Sequence, residues 1–143
     1  MFEMGPGSMS ALCLAPASRA GAMPPTVLVV EDDLVVRETC AMLLEDHGFS
    51  VVTAVDGADG LRKFRQVKPA VVLTDIIMPE KEGIAFIREL RRESREVTIV
   101  AMSGSGRIGD REVIEIAVKL GANVGLYKPF GDLQLIDAVH GLL

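Results

Sequence analysis

The sequence has few cysteines, no excess of basic residues and no long apolar run, and each shortage narrows its possible functions. Its two cysteines, Cys13 and Cys40, lie far apart, and neither has a second cysteine or a histidine at metal-ligand spacing. We therefore expect neither a zinc site nor a disulfide framework, and reduced thiols fit a cytoplasmic protein. No apolar run approaches the roughly 18 residues of a membrane-spanning helix, so we expect a soluble globular protein.

Positive charge is also scarce, with 15 Lys and Arg against 20 Asp and Glu and a net charge of −5. The basic residues are scattered over the predicted helices and form no stripe, which argues against direct binding of nucleic acid. The 143 residues are enough for one domain that buries roughly two thirds of its unfolded surface in a single core.

Residues 1–25 differ from the rest because Gly, Pro, Ala, Ser and Met dominate them without any sustained period. We predict a disordered leader here. The apolar residues between Ala11 and Ala22 are too interrupted for a good secretory signal, whereas Gly5 to Ser8 would also suit a tag remnant. The predicted division is a leader or tag remnant at 1–25 and one folded domain at 26–143.

From Thr26 onward, short apolar strands alternate with amphipathic helices, which predicts five βα units in series. The predicted strands are Thr26–Val30, Ser50–Ala54, 70–75, 97–102 and 123–127, and the fourth helix has its inner stripe at Val113, Ile116, Ala117 and Leu120. Such a series predicts an α/β fold with a five-stranded parallel sheet and right-handed crossovers. The strand order cannot be derived from periodicity, but the flavodoxin-like doubly wound order 2-1-3-4-5 suits this length.

Carboxylates follow two strands that this order makes neighbours. Glu31, Asp32 and Asp33 follow strand 1, and Asp75 ends strand 3. Acidic residues in front of a helix are often only caps, and we assign that role to Asp33. The remaining carboxylates would repel one another unless something neutralised them, and oxygen ligands from two strands suit a hard cation such as Mg²⁺.

Two further strand ends carry polar groups. Strand 4 runs into Ser103 and Gly104, and strand 5 runs into Lys128. Taken alone, Ser103 and Gly104 would indicate only a loop, and Lys128 would indicate only a solvated charge. Because the carboxyl ends of parallel strands meet at one edge, a hydroxyl, a lysine and several carboxylates come together there and predict a phosphoryl site.

In this combination the chain resembles the receiver domain of two-component response regulators, especially the chemotaxis-type single-domain regulators. The resemblance covers residues 26–143 and rests on four motifs in order, VLVVEDD at 27–33, LTDIIMPEKEG at 73–83, Ser103-Gly104, and YKPF at 127–130. It implies transfer of a phosphoryl group to Asp75 from the phosphohistidine of a sensor histidine kinase or a histidine phosphotransfer domain. Such a receiver switches a partner-binding face and catalyses only its own phosphorylation and dephosphorylation.

The resemblance also implies a role for each site residue. The implied Mg²⁺ ligands are Asp32, Asp75, Glu31 through water, and the main-chain carbonyl of Ile77. Lys128 would pair with the phosphoryl group, and Ser103 would move to bind one of its oxygens. The Lys128–Pro129 peptide bond is expected to be cis.

Two positions depart from the pattern that this resemblance leads us to expect. Gly125 stands where an aromatic switch residue is usual, so we expect coupling to run mainly through Ser103 and the fourth helix. Ile77 offers no hydrogen bond to a water attacking the acyl phosphate, so we expect no unusually fast hydrolysis. Ile114 and Val118 would either widen the buried face of the fourth helix or form part of a docking surface.

We therefore expect a stand-alone cytoplasmic receiver that is a monomer or weak dimer and contacts no membrane. The alternatives are a receiver-like scaffold that works without phosphorylation and a receiver fragment of a larger regulator or hybrid kinase. An aspartate-nucleophile phosphatase generally needs a second Asp two residues after the nucleophile, where this chain has Ile77. A flavin carrier needs a phosphate-binding loop after strand 1, where Glu31, Asp32 and Asp33 would repel phosphate.

Overall fold

The computed structural model describes residues 24–76, 83–104 and 110–141, over which strands and helices alternate regularly. The elements are β1 Thr26–Val30, α1 Leu34–Asp46, β2 Ser50–Ala54, α2 Gly57–Val67, β3 Val71–Asp75, α3 Gly83–Glu93, β4 Thr98–Ser103, α4 Asp110–Leu120, β5 Val124–Tyr127 and α5 Asp132–His140. The predicted strands agree with these bounds to within one residue. None of the described helices is long and apolar enough to cross a membrane.

The strands form one parallel sheet in the order β2-β1-β3-β4-β5, which confirms the predicted fold class and strand order. Val30 pairs with Thr74 across β1 and β3, and Asp75 pairs with Met102 across β3 and β4. This register brings the carboxyl ends of the three central strands to the same level. The residues that follow β1 and β4 therefore lie on either side of Asp75.

Side chains alternate between two apolar layers, one on each face of the sheet, as they must in a sheet covered on both sides. On one face, Leu28 and Val72 contact the inner residues of α2, α3 and α4, among them Phe86. On the other face, Val29 and Leu73 belong to a second cluster with the inner residues of α1 and α5. Helices therefore cover both faces of the sheet, and the carboxyl ends of its strands form the edge at which Asp75 lies.

The fourth helix is rotated relative to the predicted stripe. Ile114 and Ala117 are buried and Val113 is half-buried, whereas Ile116 and Leu120 are exposed. The reason lies in β5, where Gly125 has no side chain and Ile114 occupies the space in which a Cβ would stand. Both stripes satisfy a period of 3.6 residues, so packing against the sheet, including the space above Gly125, selects between them. Val118 is exposed, so Ile114 and Val118 form neither a shared buried face nor a shared docking surface.

Part of the predicted leader and part of the predicted site lie outside the described residues. Residues 1–23, Ile77 and Ser105 belong to these segments. Pro25 is described, and its carbonyl accepts a hydrogen bond of 2.9 Å from the amide of Ser50. Contact with the sheet therefore begins one residue before the predicted domain boundary, while the division into leader and domain stays a prediction.

Candidate functional site

The segment after β1 turns a buried strand into the start of α1 within three residues. Glu31 still belongs to the sheet edge, because its amide donates to the Ala54 carbonyl at 3.1 Å. Its carboxylate is buried and accepts a hydrogen bond of 3.1 Å from the Asp33 amide. Asp33 is the N-cap of α1 and accepts from the Val36 amide at 3.0 Å, which confirms its assignment as a cap. Asp32, between them, is exposed.

Lys128, which follows β5, bridges two of the carboxylates. Its Nζ donates to Glu31 Oε1 at 2.7 Å and to Asp75 Oδ2 at 3.1 Å. Both distances are typical of charge-assisted hydrogen bonds, which are stronger than neutral ones. A cation from the far end of the chain thus lies between the carboxylate after β1 and the carboxylate at the end of β3.

Burial and charge shift the protonation equilibria of this bridge. Burial raises the pKa of Glu31 from 4.5 to about 7, and the charge of Asp75 adds to the rise, although the hydrogen bond from Lys128 opposes it. Burial alone would lower the pKa of Lys128, but the hydrogen bond to Glu31 and the carboxylate charges hold that pKa above its ordinary value. The lysine therefore stays charged at neutral pH and only partly balances the carboxylates around it.

The end of β3 is fixed by contacts with its own main chain. The Thr74 hydroxyl is buried and donates to the Asp75 carbonyl at 2.9 Å. Gly83, at the start of α3, donates its amide to the Ile76 carbonyl at 2.9 Å. A Cβ at Gly83 would overlap the Asp75 carbonyl oxygen and Ile76 Cα, so only glycine lets α3 begin this close to the strand. Asp75 is thereby held from both sides at the sheet edge.

The ends of β4 and β5 are joined to each other beside this site. The Lys128 amide donates to the Ser103 carbonyl at 2.7 Å, and Ser103 is buried. Gly104 has φ of 139°, and a Cβ there would lie 2.5 Å from the Lys128 nitrogen. Glycine is therefore required for the two loops to lie against each other. The Lys128–Pro129 peptide bond is cis, as expected from the sequence.

Glu31, Asp32 and Asp75 form an acidic cluster that can hold a metal ion. Each supplies one carboxylate oxygen, and these oxygens lie within 4.8 Å of one another. A donor set of carboxylate oxygens with one exposed side suits a hard divalent cation that keeps some of its waters, and Mg²⁺ is the common example. The charges agree, since three carboxylates face one lysine.

The structure thus brings together Glu31, Asp32, Asp75, Ser103 and Lys128 from four strand ends, as their positions in the sequence predicted. The predicted carbonyl ligand at residue 77 lies outside the described residues. The sequence did not lead us to two residues that contribute to the site, Gly83 and Arg37. The role of Gly83 was not assigned, although glycine at the end of the LTDIIMPEKEG motif was a visible signal. Arg37 was also missed, and its guanidinium donates to the Glu31 carbonyl at 2.9 Å.

Comparisons with known proteins agree with this architecture. The sequence profile described as response regulator receiver domain matches residues 27–140. The alkaline phosphatase synthesis transcriptional regulatory protein SphR of Synechococcus elongatus is 34% identical, over 95% of this chain and 54% of its own length. This chain therefore spans about half the length of that relative.

Solved structures of response regulators are also similar to this chain. A response regulator receiver domain protein from Clostridium thermocellum is 29% identical with a TM-score of 0.77, over 82% of this chain and 93% of its own. The chemotaxis response regulator CheY4 of Vibrio cholerae is 25% identical with a TM-score of 0.73, over 84% and 99% of the two chains. The profile match covers most of the chain and overlaps all five strands of the sheet. The chain belongs to the response regulator receiver domain family of two-component signal transduction.

Proposed function

We propose that this receiver accepts a phosphoryl group on Asp75 from a phosphohistidine, in a Mg²⁺-dependent reaction, and thereby switches a partner-binding face. The observation that carries the proposal is the bridge made by Lys128, whose Nζ lies 2.7 Å from Glu31 Oε1 and 3.1 Å from Asp75 Oδ2. Phosphoryl transfer needs a nucleophile and positive charge that neutralises the phosphoryl group. Here the Asp75 carboxylate is the nucleophile, and the positive charge would come from Lys128 and from a cation held by the carboxylates.

The transfer is an in-line displacement at phosphorus. An oxygen of Asp75 forms the new bond to phosphorus while the bond from phosphorus to the histidine nitrogen breaks, and the histidine leaves. Lys128 already donates to Asp75 and would donate to the incoming phosphoryl oxygens. Asp32 and Asp75, with Glu31 acting through water, would hold Mg²⁺, which would supply charge neutralisation at the phosphoryl group. The chain catalyses no reaction other than its own phosphorylation and dephosphorylation.

The phosphoryl donor would dock beside α1. A groove of about 380 Å³ runs between α1 and the connection from β5 to α5, and Lys128 and Gly104 line the end of it nearest the site. Val35 lines this groove and is 72% exposed, and Leu133 at the start of α5 is 73% exposed. An apolar groove next to a nucleophile suits the helix that presents a phosphohistidine, and a sensor histidine kinase or a histidine phosphotransfer domain would supply that helix.

Switching would begin at Ser103 and reach the surface through α4. Phosphorylation adds charge of about −1.5 to −2 and new acceptor oxygens near Ser103, which is buried at the end of β4. Because α4 is the next element after β4 in the chain, we expect a shift of Ser103 to affect α4. We expect a stable phosphate analogue to shift NMR amide signals of residues 104–120, and unshifted signals would contradict this route.

The direct test is phosphorylation by a small donor. With acetyl phosphate and Mg²⁺ we expect the mass of one phosphoryl group to be added and to be removed by hydroxylamine, which cleaves acyl phosphates. Asp75→Ala should abolish the gain, whereas Asp46→Asn, at the end of α1, should not change it. Chelation of Mg²⁺ should suppress it. A folded chain that gains no phosphoryl group would favour the alternative of a scaffold that works without phosphorylation.

The donor groove has its own test, because acetyl phosphate does not need it. Val35→Glu should leave uptake from acetyl phosphate unchanged and should slow transfer from a phosphorylated histidine kinase of the host. Profiling transfer from all host kinases would identify the cognate one. Equal transfer rates for Val35→Glu and the wild type from that kinase would rule the groove out as the donor site.

The output of the whole protein is open to more than one proposal. SphR is named a transcriptional regulatory protein, and this chain spans about half of its length. The prediction that no nucleic acid is bound is therefore not supported by such a relative. It rests on the net charge of −5 and concerns this chain alone.

A further inference from the structure

We propose that Arg37 is a positioning residue for the Mg²⁺ site, a role that rests on the proposed function and that neither the motifs nor the family assignment gives it. Arg37 lies in the first turn of α1 and is half-buried. Its Nη1 donates to the Glu31 carbonyl at 2.9 Å and makes a longer contact of 3.4 Å with the Asp32 carbonyl. These are the main-chain groups of two members of the acidic cluster.

The helix dipole alone would not favour an arginine at this position, although the N-cap carboxylate of Asp33 lies one turn before it. The amino-terminal turn of a helix carries partial positive charge, so acidic side chains are favoured there and a cation is not. α1 has no acidic residue in its first turn. A guanidinium that folds back to bind two carbonyls gains hydrogen bonds that offset this cost. Arg37 therefore links the start of α1 to the main chain of the segment between β1 and α1.

The segment between β1 and α1 is short and carries Asp32, an exposed side chain that is a proposed Mg²⁺ ligand, so contacts that order this segment would favour binding. Glu31 is held by the Asp33 amide and by Lys128, and Asp33 is held as the N-cap. Asp32 lies between them with its side chain exposed. Arg37 contacts the carbonyls on both sides of the Asp32 Cα, and so helps to set the direction in which the Asp32 side chain leaves the main chain. Contacts behind a metal ligand commonly change affinity about 10-fold to 100-fold.

Removal of Arg37 distinguishes a positioning role from a purely electrostatic one, because the two roles change the dissociation constant for Mg²⁺ in opposite directions. If Arg37 acted only through its charge, its loss would remove a repulsion and tighten binding of Mg²⁺. If Arg37 positions Asp32, its loss weakens binding because the ligand must then be ordered at the expense of binding energy. The two roles therefore predict changes of the dissociation constant in opposite directions.

The experiment is calorimetric titration of the full chain with Mg²⁺ alone, on the wild type, Arg37→Met and the control Arg88→Met, which alters an exposed arginine on α3. We expect Arg37→Met to raise the dissociation constant about 10-fold or more, with Arg88→Met unchanged. The rate of phosphorylation by acetyl phosphate should show the same shift in its Mg²⁺ dependence and approach the wild-type rate at saturating Mg²⁺.

The results distinguish this inference from the function on which it rests. Unchanged or tighter Mg²⁺ binding by a folded Arg37→Met would overturn the positioning role and leave the proposed function standing. No Mg²⁺ binding by the wild type would overturn the proposed function itself. Urea unfolding in the presence of a chelator checks that the variant is folded, and Arg37→Gln takes its place if it is not.

Discussion

The contact between Gly125 and Ile114 allows a test of how α4 is held on the sheet. Gly125 stands in β5, and a Cβ added there would overlap Ile114 Cγ2 and lie 3.3 Å from Ile114 Cδ1. Ile114 is 5% exposed, so its side chain has little freedom to move aside. We expect Gly125→Ala to lower the free energy of unfolding by about 1–3 kcal/mol, which is the usual cost of overpacking a core.

The two positions should be coupled. Ile114→Ala should cost about 2–5 kcal/mol, because it deletes buried methyl and methylene groups and leaves a cavity. In that background the atoms that clash with a Cβ at residue 125 are gone, and the new methyl group fills part of the cavity. Gly125→Ala should then be neutral or stabilising. The coupling energy should be about 1–3 kcal/mol in favour of the double variant.

The assay is urea unfolding followed by circular dichroism on the wild type, both single variants and the double variant. A control pairs Ile114→Ala with Gly131→Ala, where the nearest atom to an added Cβ is Gln134 Oε1 at 3.8 Å. These two changes should be additive. If Gly125→Ala were neutral in the wild type and additive with Ile114→Ala, Ile114 would not occupy the space above Gly125 and the rotation of α4 would need another cause.

Two further predictions concern titratable side chains that take no part in phosphoryl transfer. Burial tends to raise the pKa of Asp59, but the Val55 amide at 3.1 Å and Lys63 Nζ at 3.3 Å, together with Arg62, hold it below its ordinary value. The Asp59 carboxylate therefore stabilises the fold above pH 3.8, and this contribution is lost as the pH falls through the folded pKa of Asp59. We expect Asp59→Asn to lower the free energy of unfolding by about 2 kcal/mol at neutral pH and by progressively less in acid. Urea unfolding at several pH values measures this difference. A difference that persisted undiminished in strong acid would contradict the assigned charge state. Burial also raises the pKa of Cys40 from 9.0 to about 11, which lowers the fraction of reactive thiolate at pH 8. In a Cys13→Ser background, iodoacetamide at pH 8 should therefore modify Cys40 in the folded chain about 100-fold more slowly than in the chain unfolded by urea. Equal rates would show that the thiol is accessible.

Much of the site was predictable because parallel βα units impose their geometry. Glu31 and Lys128 follow β1 and β5, Asp75 and Ser103 end β3 and β4, and the carboxyl ends of parallel strands share one edge. Arg37 was not predictable in this way, because an arginine on an amphipathic helix has many partners within reach. The stripe of α4 was predicted wrongly because the period of a helix does not fix its rotation, and Gly125 lies outside the helix that it orients.

The sequence by itself determined the alternation of elements, the parallel sheet and the set of residues at its edge, because these follow from local periodicity and the order of motifs. Only the tertiary structure decided which groups are buried together. Glu31 and Lys128 are 97 positions apart in the chain, and their contact of 2.7 Å exists only once β1 and β5 belong to one sheet. The raised pKa of Glu31, the rotation of α4 and the reach of Arg37 have the same origin, since burial and packing depend on segments that no local pattern contains.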